Sequence, residues 1–120
     1  MILSADCADI YHPRAVRGSM GTVFNQPIDR VSDLAATIAE LRQSGRRVFA
    51  AALDERAQSL GEFEILAGDT VVIGNEGHGL SSEVIAACSG SVIIPMSERA
   101  ESFNAAVAAS ILMWEFAKGK

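Results

Sequence analysis

The chain has 120 residues, of which 49% are apolar and 21% charged, so it can bury the core of one domain and is neither disordered nor disulfide-stapled. Its net charge of −5 argues against non-specific, electrostatic nucleic-acid binding but allows a local basic patch. The two cysteines, Cys7 and Cys88, lack metal-ligand spacing and favour a reduced, cytoplasmic setting. Since no apolar run reaches membrane-spanning length, we expect no association with a membrane.

The chain opens on a short apolar segment. Residues 1–3 are predicted to form a buried strand with no lead-in, which indicates a domain truncated at its N-terminus; a short native strand is the alternative. Pro13 suits the first turn of a helix, which Gly18 and Gly21 limit to a turn or two. We therefore expect a strand followed by a brief helix.

A longer helix is predicted over 30–45. Ser32 is its expected N-cap, and Gly45 is expected to end it. One face of this helix carries three apolar residues at helical spacing, namely Leu34, Ile38 and Leu41.

The second half of the chain alternates between strands and helices. Strands are predicted at 46–53, 70–74 and 91–95, a polar connection at 54–69, and helices at 80–90 and 102–120. The first of these helices would be capped by Ser81 or Ser82 and closed by Gly90. This alternation predicts a single α/β domain over 1–120, with a largely parallel sheet flanked by helices.

The last helix is apolar around most of its circumference. Such a helix is buried on more than one side or packs against another subunit, so Met113 and Trp114 are expected in the core or in a dimer interface. Cys88 is expected to be a small buried residue.

Unusual residues follow two of the strands and open the last helix. They are Gly74–Gly79, Pro95–Ser97 and Glu101–Asn104. Ligands of open α/β sheets bind beyond the carboxyl ends of the strands, where glycines allow close approach to the backbone. Neither a dinucleotide fingerprint nor a P-loop is present, and a purely structural glycine turn is the alternative.

Four segments together resemble one family. The segments VVIGNEGHGLSSEVIAAC, SVIIPM and ESFNAAVAASILMWEF, preceded by HPRAVRGSMGTVFNQPI, are similar in order and spacing to the SpoU branch of the SPOUT methyltransferases. The resemblance covers residues 2 to 120. It implies an α/β-knot fold with a C-terminal trefoil knot, a homodimer, and methyl transfer from S-adenosylmethionine to a ribose 2′-hydroxyl of tRNA or rRNA.

The resemblance also implies roles for particular residues. The cofactor would be bound by three loops: Gly74, Asn75, Glu76 and Gly77; Ile94 and Met96; Ser102, Phe103 and Asn104. Glu76, Arg17, Ser102 and Asn104 would serve catalysis, Arg17 and Ser19 would contact the RNA, and no metal would be needed. Ordinary structural roles are the alternatives. They are a turn or helix cap for Glu76, left-handed turn geometry for Asn75, helix N-capping for Ser102 and Asn104, a surface salt bridge for Arg17, and loop support for Ser19.

The sequence departs from the family pattern in two places. Phe103 stands where the family usually has leucine, and the N-terminal Asn-x-Gly-x-x-x-Arg motif, whose arginine is thought to activate the hydroxyl, does not occur. A catalytically silent cofactor-binding or dimerisation module is therefore an alternative, and an unrelated α/β nucleotide-binding domain is a third. The role of His78, a candidate general base between two glycines, stays open.

Overall fold

The computed structural model describes residues 1–75, 78–95 and 105–118. The chain divides into two compact units, residues 1–37 and 38–120. Within the described part, all pairing between named strands is parallel, as the alternation of strands and helices predicts.

The first unit contains a two-stranded parallel sheet. Strand β1 (Ile2–Ser4) pairs with strand β2 (Asp29–Val31). The predicted strand at the N-terminus is thus confirmed, but its predicted burial is wrong, because Ile2 is 39% exposed. Strand β2 was not predicted: its three residues, two of them charged, carry no strand pattern.

Two short helices connect these strands. Helix α1 (Pro13–Gly18) has proline at its first position, and Nδ1 of His12 caps it by accepting a hydrogen bond from the Arg14 N–H at 3.1 Å. A 3-10 helix (Thr22–Phe24) follows. The predicted short helix that begins at Pro13 is confirmed.

Helix α1 ends in a Schellman motif. The Gly21 N–H donates to the Val16 carbonyl and the Met20 N–H to the Arg17 carbonyl, both at 3.1 Å. Met20 therefore occupies the left-handed position that usually carries glycine, with φ of 54°. Its side chain is 91% exposed, so no burial compensates for that backbone geometry.

Helix α2 (Leu34–Gln43) begins in the first unit and continues into the second. Its N-cap is Asp33 and not the predicted Ser32, because Oδ1 of Asp33 accepts the Ala36 N–H at 3.1 Å. Gly45, with φ of 94°, ends the helix as predicted, and Ile38 on the predicted apolar face is buried.

The second unit is built on a four-stranded parallel sheet. Its strands are β3 (Val48–Ala51), β4 (Ala57–Ser59), β5 (Thr70–Val72) and β6 (Gly90–Ile93), in the order β4-β6-β3-β5. Strand β4 lies in the segment predicted as a polar connection. That prediction is wrong because Ala-Gln-Ser has too few apolar residues to indicate a strand, yet it pairs with β6 along its whole length.

Two helices complete the described part of this unit. They are α3 (Ser82–Ala87) and α4 (Ala105–Ala117). Oγ of Ser81 caps α3 by accepting the Val84 N–H at 3.2 Å, as one of the two predicted caps. Gly90 does not close this helix: α3 ends before Cys88, and Gly90 is already the first residue of β6.

One side of the sheet carries the core that α4 covers. Phe49 and Val92 of the sheet pack with Leu112 and Phe116 of α4, and all four are buried. Val48 and Ala50 alternate with Phe49, so they point to the opposite face, where they are fully buried. Burial on both faces is typical of a parallel sheet.

Helix α4 leaves its other side exposed. Trp114 is 69% exposed, and Val107 and Met113 are also exposed. The core alternative for Met113 and Trp114 is therefore wrong, whereas the predicted burial of Cys88 is confirmed. None of the helices in the described part of the chain combines the length and hydrophobicity needed to cross a bilayer.

Candidate functional site

The carboxyl ends of three neighbouring strands form the edge at which the sequence places the cofactor. Strand β3 lies between β5 and β6, and all three run in the same direction. The residues that follow them therefore leave the sheet at one edge. Two of the predicted cofactor loops begin there, at Gly74 after β5 and at Ile94 after β6.

The loop after β5 closes on its own backbone. A Cβ atom on Gly74 would lie 2.5 Å from the carbonyl carbon of Gly79 and 2.7 Å from the Leu80 nitrogen, so no side chain fits there. The Gly79 N–H donates to the Asn75 carbonyl at 2.7 Å, and the two residues form an isolated antiparallel bridge. Gly79 has φ of 63°. Glycine is therefore required at Gly74 because a Cβ atom has no room there, and it is favoured at Gly79 because the backbone is left-handed.

Asn75 helps to shape this loop through its side chain. Its Oδ1 accepts the N–H of His78 at 3.3 Å, while the side chain of His78 is exposed. Among the described residues, Met20 is the one non-glycine residue with positive φ, so the left-handed alternative for Asn75 is wrong. The Asn75 side chain thus stabilises the loop, and Asn75 lies at the edge of the sheet where the sequence predicts the cofactor.

Apolar side chains line the same edge. Leu53, two residues beyond β3, is 83% exposed, and Ile73 at the end of β5 is also exposed. Ile94 is half-buried and packs against the core. Leu53 is not among the site residues predicted from the sequence. One feature of the sequence could have indicated it: Leu53 is the last, apolar residue of the predicted strand 46–53, at a position where the core no longer requires an apolar side chain.

A polar network holds the turn that carries Leu53. Oγ of Ser91, which is fully buried, donates to Oδ2 of Asp54 at 2.8 Å. This hydrogen bond lowers the pKa of Asp54 below its ordinary value, so the carboxylate stays ionised at neutral pH. Arg56 donates to the carbonyls of Ile85 and Cys88 at 2.7 and 3.2 Å, which ties the same turn to the end of α3.

Arg17 and Ser19, the predicted RNA contacts, belong to the first unit. The guanidinium of Arg17 is exposed and makes no ion pair or hydrogen bond with the rest of the described chain, so its salt-bridge alternative finds no support there. Oγ of Ser19 donates to the Val16 carbonyl at 3.0 Å, and this bond joins the end of α1 to the following turn. Ser19 thus supports the loop, whereas its contact with RNA stays a prediction.

The remaining predicted site residues lie outside the described residues. They are Glu76, Gly77, Met96, Ser102, Phe103 and Asn104. Within the described ranges, no group of three or more His, Cys, Asp or Glu side chains is placed to hold a metal ion.

Comparison with known proteins decides the family. The family model described as "SpoU rRNA Methylase family" matches residues 1–114. This chain belongs to that family. A SpoU relative, the 23S rRNA (uridine(2479)-2′-O)-methyltransferase of Streptomyces viridochromogenes, is 32% identical over 119 residues, which are 96% of this chain and 42% of the relative.

Two solved SpoU-type structures share the fold. A putative RNA methyltransferase of the TrmH family from Porphyromonas gingivalis matches with a TM-score of 0.84 and 34% identity, over 96% of this chain and 47% of its own. The SpoU methyltransferase AviRb from Streptomyces viridochromogenes, solved with S-adenosylmethionine, matches with a TM-score of 0.82 and 30% identity over the same shares. The predicted family and the α/β fold class are therefore confirmed, and this chain spans less than half of each of these three proteins.

Proposed function

We propose that this chain is the methyltransferase domain of an S-adenosylmethionine-dependent enzyme that methylates a ribose 2′-hydroxyl of tRNA or rRNA. The observation that carries the proposal is the SpoU family match over residues 1–114, together with the likeness to a SpoU methyltransferase solved with this cofactor. The relative named as a 23S rRNA uridine 2′-O-methyltransferase supports the choice of RNA and of the ribose oxygen.

The described edge of the sheet suits S-adenosylmethionine. Leu53, Ile73 and Ile94 offer apolar surface to an adenine ring, and the loop that starts at Gly74 offers backbone without side-chain bulk. The bound cofactor would supply a methyl group activated by the positive charge of its sulfur. The protein then has to hold the donor and the ribose oxygen in line and to help remove the hydroxyl proton.

Residue roles follow from the family resemblance and are part of the proposal. Gly74, Asn75 and Ile94 of the described edge would bind the cofactor together with Glu76, Gly77, Met96, Ser102, Phe103 and Asn104. Glu76, Ser102, Asn104 and Arg17 would serve the transfer, and Ser19 would keep the Arg17 loop in shape. The guanidinium of Arg17 is exposed and has no ion-pair partner among the residues that the structure describes, which supports a contact with RNA phosphate.

The proposal includes a trefoil knot, a homodimer and a cytoplasmic location. The knot is implied by the family. The homodimer is supported by the exposed apolar side of α4, where Val107, Met113 and Trp114 would meet a second copy. The cytoplasmic location is supported by two free cysteines.

A methyl-transfer assay tests the activity. We would incubate the chain with radiolabelled S-adenosylmethionine and either total tRNA or rRNA, digest the RNA and identify the labelled nucleoside by mass spectrometry. The proposal predicts a 2′-O-methylated nucleoside. A label on a base would contradict the ribose assignment, and cofactor binding without any transfer would favour the silent cofactor-binding module.

A further inference from the structure

Two aromatic side chains stack on each other at the surface of the first unit. The rings of Tyr11 and Phe24 have their centroids 5.9 Å apart and an interplanar angle of 14°. Nevertheless Tyr11 is 60% exposed and Phe24 64% exposed. Two large rings that stack on each other and are both more than half exposed form an aromatic platform at the surface, of the kind that a bound partner usually covers.

The platform is rigidly placed by short-range structure. The N–H of Tyr11 donates to Oδ1 of Asp9 at 2.9 Å, directly before helix α1. Phe24 ends the 3-10 helix, and its N–H donates to the Gly21 carbonyl at 3.2 Å. The Schellman motif between the two helices turns the chain, so that the residues flanking it come together.

Positive charge accompanies the platform. Arg14 and Arg17 are three residues apart on α1, so they share one face of the helix. Both are exposed, and neither guanidinium is paired with any side chain that the structure describes. Residues 10–28 contain no aspartate or glutamate, although the chain as a whole carries a net charge of −5. Asp9 and Asp29 mark the two ends of this acid-free stretch.

From this geometry we propose that Tyr11 and Phe24 form a stacking platform for an unpaired base of the substrate RNA, with Arg14 and Arg17 on the adjoining phosphates. The inference rests on the proposed function, because it takes the substrate to be RNA. Aromatic faces accept any base, whereas arginines contact the backbone, and this combination is the usual means of holding single-stranded nucleic acid. The platform would hold a nucleotide of the RNA without reading its identity.

Site-specific crosslinking tests the platform directly. A short single-stranded oligouridine carrying 5-iodouridine would be irradiated with the chain at low salt, and the crosslinked peptide identified by mass spectrometry. We expect the crosslink at Tyr11 or Phe24. Crosslinks found exclusively at other residues would overturn the inference. The measurement uses the unsubstituted chain, so its result does not depend on whether a variant folds.

Binding measurements with variants separate stacking from charge. Replacing Tyr11 or Phe24 with alanine should weaken binding of the same oligouridine by roughly tenfold or more, whereas Tyr11→Phe should bind like the parent. Arg14→Gln should reduce the slope of log affinity against log salt by about 0.7, and the stacking variants should leave that slope unchanged. Leu66→Ala and Arg46→Gln, at exposed positions of the second unit, are the matched controls.

The outcomes distinguish the inference from the proposed function. Unchanged RNA affinity in Tyr11→Ala and Phe24→Ala, with parent RNA binding intact, would overturn the platform alone. The same holds if these variants alter self-association and not RNA affinity, because the rings would then face another protein surface. Failure of the parent chain to bind either RNA or S-adenosylmethionine would instead contradict the proposed function.

Discussion

At the scale of single residues, Gly74 is where backbone geometry and the proposed chemistry meet. The glycine-rich segment Gly74–Gly79 follows a strand, where glycines allow a ligand to approach the backbone closely. The structure supplies a steric reason that the sequence could not give, since a Cβ atom on Gly74 would lie only 2.5 Å from the carbonyl carbon of Gly79. Loop closure brings these residues together, and closure depends on contacts rather than on composition.

Gly74→Ala should therefore both destabilise the protein and impair cofactor binding. The added methyl group has to displace backbone atoms, which costs about 1–3 kcal/mol of unfolding free energy. Thermal or urea unfolding would measure this loss. Gly18→Ala is the matched control, because nothing lies within 4 Å of its Cβ position. Equal stability of the two variants would contradict this account of the loop.

Met20 gives the opposite expectation. It holds the left-handed position of a Schellman motif at φ of 54°, a conformation that costs an L-residue roughly 1–2 kcal/mol relative to glycine. We expect Met20→Gly to stabilise the protein by up to about 1 kcal/mol, part of the gain being offset by the greater freedom of glycine in the unfolded chain. Gly45→Ala, at the same position of the motif after α2, should destabilise. A destabilising Met20→Gly would show that the methionine makes an undetected favourable contact.

At the scale of secondary-structure elements, helix α2 could be predicted from the periodicity of its apolar residues, whereas the shortest strands could not be predicted. The face of α2 that carries Ile38 and the end at Gly45 followed from spacing and from the conformational preference of glycine. Strands β2 and β4 have three residues each and no alternating pattern. Such strands owe their existence to a neighbouring strand that pairs with them, and that information is not local in the sequence.

The cap of α2 can be tested by a pair of substitutions. Asp33→Ala should cost about 1 kcal/mol, because it removes the acceptor of the Ala36 N–H. Ser32→Ala, one residue earlier, should change stability by less than half of that. Comparison of the urea midpoints of the two variants decides between the caps. A larger loss in Ser32→Ala would restore the prediction made from the sequence.

A partly buried ion pair between Arg47 and Asp69 joins the residues that directly precede β3 and β5, and it gives stability a defined pH dependence. Asp69 is buried and accepts hydrogen bonds from Nε of Arg47 at 3.0 Å and from the Leu66 N–H at 2.8 Å. Burial raises the pKa of Asp69, but these hydrogen bonds outweigh it and the net pKa is lowered. The resulting stabilisation is therefore present above the unfolded-state pKa, about 3.9, and is lost as the pH falls through the lower folded-state pKa.

Asp69→Asn should accordingly lower stability at neutral pH by about 1–3 kcal/mol. The difference from the parent protein should begin to shrink as the pH falls below about 4, where the Asp69 carboxylate of the unfolded parent chain takes up a proton. It should be smallest once the pH has also fallen through the lower folded-state pKa, because the folded carboxyl is then neutral like the asparagine. Urea unfolding at several pH values measures both effects, with the exposed Asp29→Asn as the control. A difference that does not change with pH would contradict the ionic origin.

At the scale of the whole molecule, the family and the parallel α/β architecture could be predicted because four motifs agreed in order and spacing. The features of the surface could not be predicted from the sequence. Leu53, Tyr11 and Phe24 are exposed apolar residues, and a sequence alone gives no sign of which apolar residues stay outside the core. Helix α4 illustrates both cases, since its apolar circumference was evident and only the structure separates its core side from its exposed side.

The exposed side of α4 predicts self-association. Trp114→Glu should convert a dimer into a monomer in analytical ultracentrifugation, because a carboxylate on this exposed apolar side of α4 would be buried unpaired between the two copies. Gln43→Glu, which adds the same charge on the exposed surface of α2, should leave the mass unchanged. A parent chain that is monomeric at high concentration would contradict this prediction.

The proposed function requires that the carboxyl edge of strands β3, β5 and β6 binds S-adenosylmethionine. The most direct measurement is calorimetric titration of the chain with S-adenosylmethionine and with its demethylated product. We expect saturable binding of both ligands, which is lost in Leu53→Asp at this edge and retained in Leu66→Asp, where the same charge lies on the exposed loop before β5. Absence of binding at high cofactor concentration by a protein shown to be folded would contradict it.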